Sequence, residues 1–517
     1  MADQQHHEEE DAAMLDPNEA EEIVEDDGDG DAAMDSGDED EDEDDAAGHV
    51  QETIQLQNDS VAHFDGHKDS VYCIAQHPTR PELVATGGGD DTAYVWDATP
   101  APGPVLPASY ETNPQPRERN GQEVVAKLGP QDETVNAIVF TLPKGEFIAT
   151  GTAGGTLNVY TTPTSQQPQP RLVASAKEVD DITWIAPCPS PSEQYANTIA
   201  LGAADGSVWI YSIDGQNLNI VQSFFLHQAP CTAGVWTPGG QLLATVDEAS
   251  SLYVWDVFGE AAAAGVYDPN GSQALIQLTA DDERFKVDGG LYSAAISPGG
   301  GIVAVGGAFG NIRVVNLPRL SGAQQQSTIG VQGAGSKSKS GGAKQAPASA
   351  ATGNYGQIIA AFAAQTDGVE TLDFSQPPLQ LLAAGSVDGS IAILDAAKNW
   401  SVRRLIKDSH SLDEVPHAVI KVEFVKTPLG TSNPRGHLLT SCGNDGVVRR
   451  WDVRGGTASA DQGLVQEWKG HMENDGERGG ILGFVQGNGQ KSGGAAGTHV
   501  VTAGDDGVSL VFEWKDQ

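Results

Sequence analysis

From about residue 60 onward, apolar and polar positions recur in a single arrangement. An apolar run leads into a polar loop, and a second run of small residues then ends in Gly. A tight turn follows, and a third run closes on an aromatic or apolar pair. The stretch "VYCIAQHP…LVATGGGDDTAYVWD" (71–97) is the clearest copy. "VNAIVF…FIATGTAGGTLNVY" (135–160), "ITWIAP…TIALGAADGSVWIY" (182–211) and "CTAGVWTP…LLATVDEASSLYVWD" (231–256) repeat it. So do "LYSAAISP…IVAVGGAFGNIRVVN" (291–316), "VETLDFS…LLAAGSVDGSIAILD" (369–395), "VIKVEFV…LLTSCGNDGVVRRWD" (419–452) and "ILGFVQG…VVTAGDDGVSLVFEW" (481–514). Short runs rich in β-branched and aromatic residues, set off by Gly and Asp turns, predict strands. Eight copies in tandem predict a repeat architecture in which each unit buries its faces against its neighbours.

The repeats resemble WD40 repeats. Trp96-Asp97, Trp255-Asp256 and Trp451-Asp452 match the signature dipeptide, and Gly66-His67 and Gly470-His471 match the Gly-His pair. The resemblance implies four-stranded blades set radially. Copies end at 96, 160, 211, 255, 315, 394, 451 and 512. Most of these spacings exceed the ~40–45 residues of an ordinary repeat, so the extra length is expected in insertions. Residues 98–122 and 317–354, rich in Pro, Gly, Ser, Gln and Ala, are the main ones and read as flexible loops. "VAHF" (61–64) is a strand with no copy of its own and is expected to complete the last blade, which removes two exposed sheet edges. The expected fold is all-β: an eight-bladed WD40 β-propeller over 53–517, closed by an N-terminal strand and preceded by a disordered acidic tail, 1–52.

Counting back six residues from the copy ends gives Asp90, Asp205, Asp388, Asp445 and Asp506. In WD40 repeats this Asp bonds a His of the Gly-His loop, in a network with a strand Ser or Thr and the Trp. The resemblance therefore implies His67, Thr86, Asp90 and Trp96 in the first blade and Trp451 in the seventh, all structural. Gly154, Ala249 and Phe309 stand at the Asp position in blades two, four and five, so those blades are expected to lack the network.

A second set of acids lies in the same loops. Asp91, Asp247, Glu248 and Asp505 fall between second and third strands. Asp69, Asp132, Glu133, Asp180, Asp181, Asp288, Asp367, Asp413, Glu414 and Glu473 fall just before first strands. Propeller topology opens both loop types on one face, so these carboxylates are expected to ring one end of the channel and bind a cationic partner. Of the aromatics in innermost strands, Trp236 is expected in the core, while Trp184 and Tyr292 are candidates for the channel mouth.

Charge sharpens the partner class. The chain carries 72 acidic and 29 basic residues, a net charge of −43. Residues 1–50 contain 23 of those acids and neither Lys nor Arg, which keeps this stretch extended and without a core. Nucleic-acid phosphates would be repelled over the general surface, whereas a basic protein is complementary. Ser36 sits in an acidic setting suited to a kinase that prefers acidic sequences. The insertion holding Arg319, Lys337, Lys339 and Lys344 reads as a spacer.

Cys73, Cys188, Cys231 and Cys442 show no paired spacing and read as reduced interior residues, which together with the absence of a leader or apolar span points to cytoplasm or nucleus. His6 and His7 lack ligand geometry, and no phosphate-loop, zinc-protease or nucleophile-elbow motif is present, so neither a metal, a cofactor nor catalysis is expected.

The acidic N-terminal tract, "FDGHKDSVYCIAQHP" (64–78) and "LVATGGGDDTAYVWD" (83–97) together resemble the angio-associated migratory cell protein family, and within it the fungal chaperones of large-subunit ribosomal protein ten. The resemblance covers residues 20–517. It implies a monomeric escort that takes the basic N-terminal segment of the newly made ribosomal protein on its acidic top face and meets the pre-60S particle transiently. A general interaction scaffold in signalling or migration and a histone-binding propeller are the alternatives.

Overall fold

Each copy folds as an antiparallel sheet of four strands, and the described residues form eight such sheets plus one two-stranded hairpin. The computed structural model describes residues 57–100, 121–268, 271–320, 354–412, 414–428, 430–455, 463–472, 479–487 and 496–514. All of them belong to one unit, Leu56–Gln517. The tail 1–52, residues 101–120 and 321–353 of the two insertions, Asp413 and Glu473 lie outside the described residues.

Blade one shows the common plan: Val71–Gln76, Leu83–Gly88, Ala93–Asp97 and Val124–Leu128, in that order across the sheet. Its second strand, LVATGG, is buried at every position. A strand covered on both faces cannot alternate apolar with polar, which is why the sequence there is a continuous small-residue run. Its fourth strand alternates exposed and buried residues, as a rim strand does. The first strands of blades two to eight are Val135–Phe140, Ile182–Pro187, Cys231–Trp236, Leu291–Ile296, Val369–Phe374, Val419–Phe424 and Ile481–Val485. Each packs on the next in ring order, and the eighth returns to the first. The ring is closed.

Small residues at the end of the second strands make this packing possible. A Cβ on Gly87 would lie 2.5 Å from the Val135 side chain of blade two, and one on Gly306 would lie 2.6 Å from Val369 of blade six. Interiors packed to crystal density leave no room for that extra methyl.

Closure is made by Ala62–Phe64, which pairs antiparallel with Ser509–Glu513 through Ala62↔Val511, His63↔Leu510 and Phe64↔Ser509. Phe64 is buried and stacks on Trp96 of blade one, ring centroids 4.9 Å apart. The strand thus completes blade eight while its aromatic ring grips blade one.

All eight first strands share one irregularity: pairing with the second strand shifts register just after the first residue. Such a bulge leaves one residue unpaired and re-aims its side chain. The residues concerned are Tyr72, Asn136, Thr183, Thr232, Tyr292, Glu370, Ile420 and Leu482. Thr183 Oγ1 donates to the Cys231 carbonyl at 2.7 Å, and Thr232 Oγ1 to the Leu291 carbonyl at 2.7 Å, so the bulge also stitches one blade to the next. The four cysteines are free thiols. No helix of the described residues is long and apolar enough to cross a membrane.

Candidate functional site

The loop acids fall into two populations, one tied into hydrogen-bond networks and one facing solvent. In blade one, His67 Nδ1 lies 3.0 Å from Asp90 and His67 Nε2 lies 3.0 Å from Thr86 Oγ1. Blade seven repeats the arrangement with His410, Asp445 and Ser441, each contact 2.8 Å, and the Trp451 indole donates to Ser441 at 2.9 Å. Blade eight uses His471, Asp506 and Thr502. Trp96 departs from the expected network: its buried indole N–H has no acceptor, and the ring is spent on the Phe64 stack. Asp205 and Asp388 have no His. They cap their own turns through the Ser207 and Ser390 hydroxyls, each at 2.6 Å, and Asp388 also accepts the Thr366 N–H.

Blade four corrects the sequence expectation twice. It does carry a complete network: His227 with Asp247 and Thr245, each 2.8 Å, and the Trp255 indole donating to Thr245 at 2.8 Å. Asp247 is fully buried and also accepts the Ser251 N–H, so it is a fastener and not a surface ligand. Its carboxylate enters from the end of the second strand, two residues ahead of the position held by Ala249, and counting from the Trp misses it.

Blades two, five and six substitute other groups. Gln131 accepts from Thr150 Oγ1 at 3.0 Å and Asn158 at 3.1 Å, and Gln365 donates to the Ser390 carbonyl at 2.8 Å. In blade five the Arg313 guanidinium reaches back to the Phe285 and Lys286 carbonyls at 3.1 and 2.8 Å. His67, Gln131, His227 and Gln365 each stand four residues before a first strand, and that spacing was the available signal.

The loops of interest share one face because a backbone hydrogen bond ties them together in every blade. The residue following each second strand donates to the carbonyl just before the first strand of the same blade. The pairs are Gly89 with Ser70, Ala153 with Thr134, Ala204 with Asp181, Glu248 with Pro230, Ala308 with Gly290, Val387 with Gly368, Asn444 with Ala418 and Asp505 with Gly480. Adjacent blades are also linked there: Ser70 Oγ donates to Asp505 Oδ1 at 2.6 Å.

On this face Asp69, Asp91, Glu133, Asp180, Glu248, Asp288, Asp367, Glu414 and Asp505 are exposed. Asp132 is exposed but committed: it accepts the Thr152 and Thr156 hydroxyls and pairs with Lys177 at 3.4 Å. Burial opposes its charge, yet the Thr156 and Thr152 bonds outweigh that and hold it below the ordinary carboxylate range. Asp288 is paired with Lys286 at 3.1 Å. Asp181 is half-buried, and burial raises its carboxyl against the bond donated by Asn136.

The sequence reasoning missed Glu370. It is the bulge residue of blade six, its carboxyl raised by partial burial and by neighbouring Asp367. Tyr72, 47% exposed, occupies the same bulge position in blade one. Trp236 is buried, and Trp184 is held against the ring by its indole bond to the Cys231 carbonyl at 3.1 Å. Farther along the inner wall, charges are neutralised in place, Asp373 with Lys426 at 2.5 Å and Lys421 with Glu423 at 3.0 Å.

The family model described as WD domain, G-beta repeat matches residues 58–97. The chain is 26% identical over 482 residues to the ribosome assembly protein SQT1 of Saccharomyces cerevisiae, covering 89% of this chain and 88% of that protein. It is 22% identical over 427 residues to the human angio-associated migratory cell protein, covering 82% of this chain and 75% of that one. The crystal structure of Sqt1 from Chaetomium thermophilum superposes with a TM-score of 0.71 at 43% identity, covering 89% of this chain and 100% of that one. The same protein bound to the N-terminus of ribosomal protein L10 gives 0.70 at 42% identity, with the same coverage. With this identity over the whole of a solved relative, and with blades, closure and loop face alike in place, the chain belongs to the Sqt1 family of WD40-repeat propellers.

Proposed function

We propose that this protein is a dedicated chaperone that takes the basic N-terminal segment of ribosomal protein L10 on its loop face and escorts it to large-subunit assembly. The observation that carries this is the 42% identical Sqt1 bound to the L10 N-terminus, taken with a loop face whose exposed side chains are mainly carboxylates. A newly made ribosomal protein is rich in Lys and Arg and sticks to stray RNA before assembly. Carboxylates steer such a segment in quickly and accept bidentate Arg bonds. Ribosomal RNA then competes for the same cations and draws the client off. The acids proposed to make contact are Asp69, Asp91, Glu133, Asp180, Glu248, Asp367, Glu414 and Asp505, with Asp413 and Glu473 as further candidates from the sequence.

Calorimetric titration with a synthetic L10 N-terminal segment tests the proposal. Exposed rim charges are screened over ~8 Å at physiological salt, so affinity should fall as salt rises. The combined Glu133→Lys, Asp180→Lys and Glu248→Lys variant is expected to weaken binding about 100-fold or more with an unchanged melting temperature, because all three side chains are exposed. Unchanged affinity in that variant would refute the acidic-face mechanism. Tighter binding of histone tails than of the L10 segment would replace the client.

A further inference from the structure

The mouth of the ring departs from its repeating plan at blade five. The turn position that holds Asp90, Asp205, Asp388, Asp445 or Asp506 in five blades, and the small residues Gly154 and Ala249 in two, holds Phe309 there. Its fastening task has passed to Arg313, so nothing inside the blade requires the side chain at 309. Phe309 is 61% exposed, a large aromatic ring held into solvent where an Asp or Gly would be cheaper. Its backbone is left-handed, φ 56 and ψ 37, a conformation that bulky residues rarely adopt.

The ring has neighbours of a definite kind. A Cβ placed on Gly289 would lie 2.7 Å from the Ala308 Cβ and 3.8 Å from both the Phe309 ring and the Tyr292 hydroxyl, so the two aromatics stand near the same glycine, over Ala308. Tyr292 is the bulge residue of blade five, and its hydroxyl donates to the Gly289 carbonyl at 2.6 Å, which fixes the ring. On its other side, a Cβ on Gly368 would lie 3.1 Å from Glu370 Oε1 and 3.3 Å from the Tyr292 ring. The phenol is pushed up by burial and then by the charges of Glu370, Glu248 and Asp367. Asp288 is occupied by Lys286.

We propose that Phe309, Tyr292 and Glu370 form a subsite that takes an arginine side chain of the bound basic segment. A guanidinium is planar and weakly hydrated, stacks on aromatic faces, and donates two parallel hydrogen bonds to a carboxylate. A lysine ammonium would find the carboxylates but would gain less from the rings. This assignment rests on the loop face being the one that binds a basic segment, and it adds which residue type is read and where.

The test is calorimetric titration of the full chain with four probes: the L10 N-terminal segment, the same segment with every Arg replaced by Lys, hexa-arginine and hexa-lysine. The wild type is expected to bind each Arg probe about ten-fold more tightly than its Lys counterpart. Phe309→Asn should erase that preference and bring the Arg probes down to the Lys level. Its melting temperature should hold or rise, because Asn tolerates the left-handed backbone, so lost binding cannot be misfolding. A preference that survives in Phe309→Asn, or that is missing from the wild type, overturns the subsite. Phe309-dependent binding of hexa-arginine with no binding of the L10 segment would remove the proposed client and support the subsite. Failure of both Arg probes to bind would overturn the subsite.

Discussion

Asp445→Ala is expected to lower the stability of the protein by about 3 kcal/mol, the low end of the cost of breaking a buried charge network by removing one member. Asp445 is fully buried and lies 2.8 Å from His410 and 2.5 Å from Arg449. Removing it leaves the Arg449 guanidinium with Glu467 alone, at 2.8 Å, takes away the His410 partner, and unmakes the bond from the Val447 N–H that shapes the turn. Burial opposes the Asp445 charge, but His410 and Arg449 outweigh it and hold the carboxyl at about 2. Unfolded, it titrates near pH 4, so its contribution is complete above about pH 4 and fades as pH falls toward 2. Burial lowers His410 as well, so below about pH 6.5 the unfolded chain takes up a proton that the buried ring refuses, and acid destabilises the fold there too. Calorimetric melting of the wild type and variant from pH 7 down to pH 2 checks both statements. A wide gap at neutral pH should close between pH 4 and pH 2. A gap under 1 kcal/mol at pH 7, or one that does not depend on pH, would show that Asp445 is no fastener.

Deleting residues 2–64 is expected to cost more than deleting residues 2–57, by several kcal/mol, because only the longer deletion removes the closing strand. Loss of Phe64 alone accounts for about 3–5 kcal/mol, as for any large buried aromatic replaced by empty space. The Asp59 N–H donates to the Lys469 carbonyl at 2.8 Å, and the Asp59 carboxylate accepts the Lys469 N–H at 2.9 Å. Both bonds disappear with the strand. The Ser509–Glu513 strand then becomes an open edge, and open edges pair with other chains. Melting temperature and light scattering of the two truncations decide the matter. The shorter deletion should melt like the full chain as a monomer, and the longer one should melt lower and associate. Equal melting and equal size would mean that the ring does not depend on this strand.

How far the site could be read from the chain depends on the distance over which each feature is encoded. The strand runs, the turns between them and the closing "VAHF" segment are local patterns, and each strand of blade one falls where its apolar run lies. Asp90, Asp445 and Asp506 are also local, since each sits at a constant offset from the end of its blade. Asp247 departs from that offset: it ends the second strand, two residues before the turn position, and a His from the preceding loop can be met from either place. Glu370 was missed for a related reason. An alternating strand reading gives no sign of a bulge, and the bulge decides which residue of the first strand turns to the mouth.

The sequence by itself determined that the chain is a ring of eight four-stranded repeats, closed by its N-terminal strand, with acids concentrated in its loops. These follow from hydrophobic periodicity, turn chemistry and charge, all properties of neighbouring residues. Only the tertiary structure decided which acids are structural and which are available. That choice depends on burial and on hydrogen bonds between segments far apart in the chain: His227 with Asp247, Arg313 with the Phe285 carbonyl, and the Tyr292 ring beside Glu370. A carboxylate looks the same in sequence whether it fastens a blade or faces solvent, and the difference is made by what the ring brings against it.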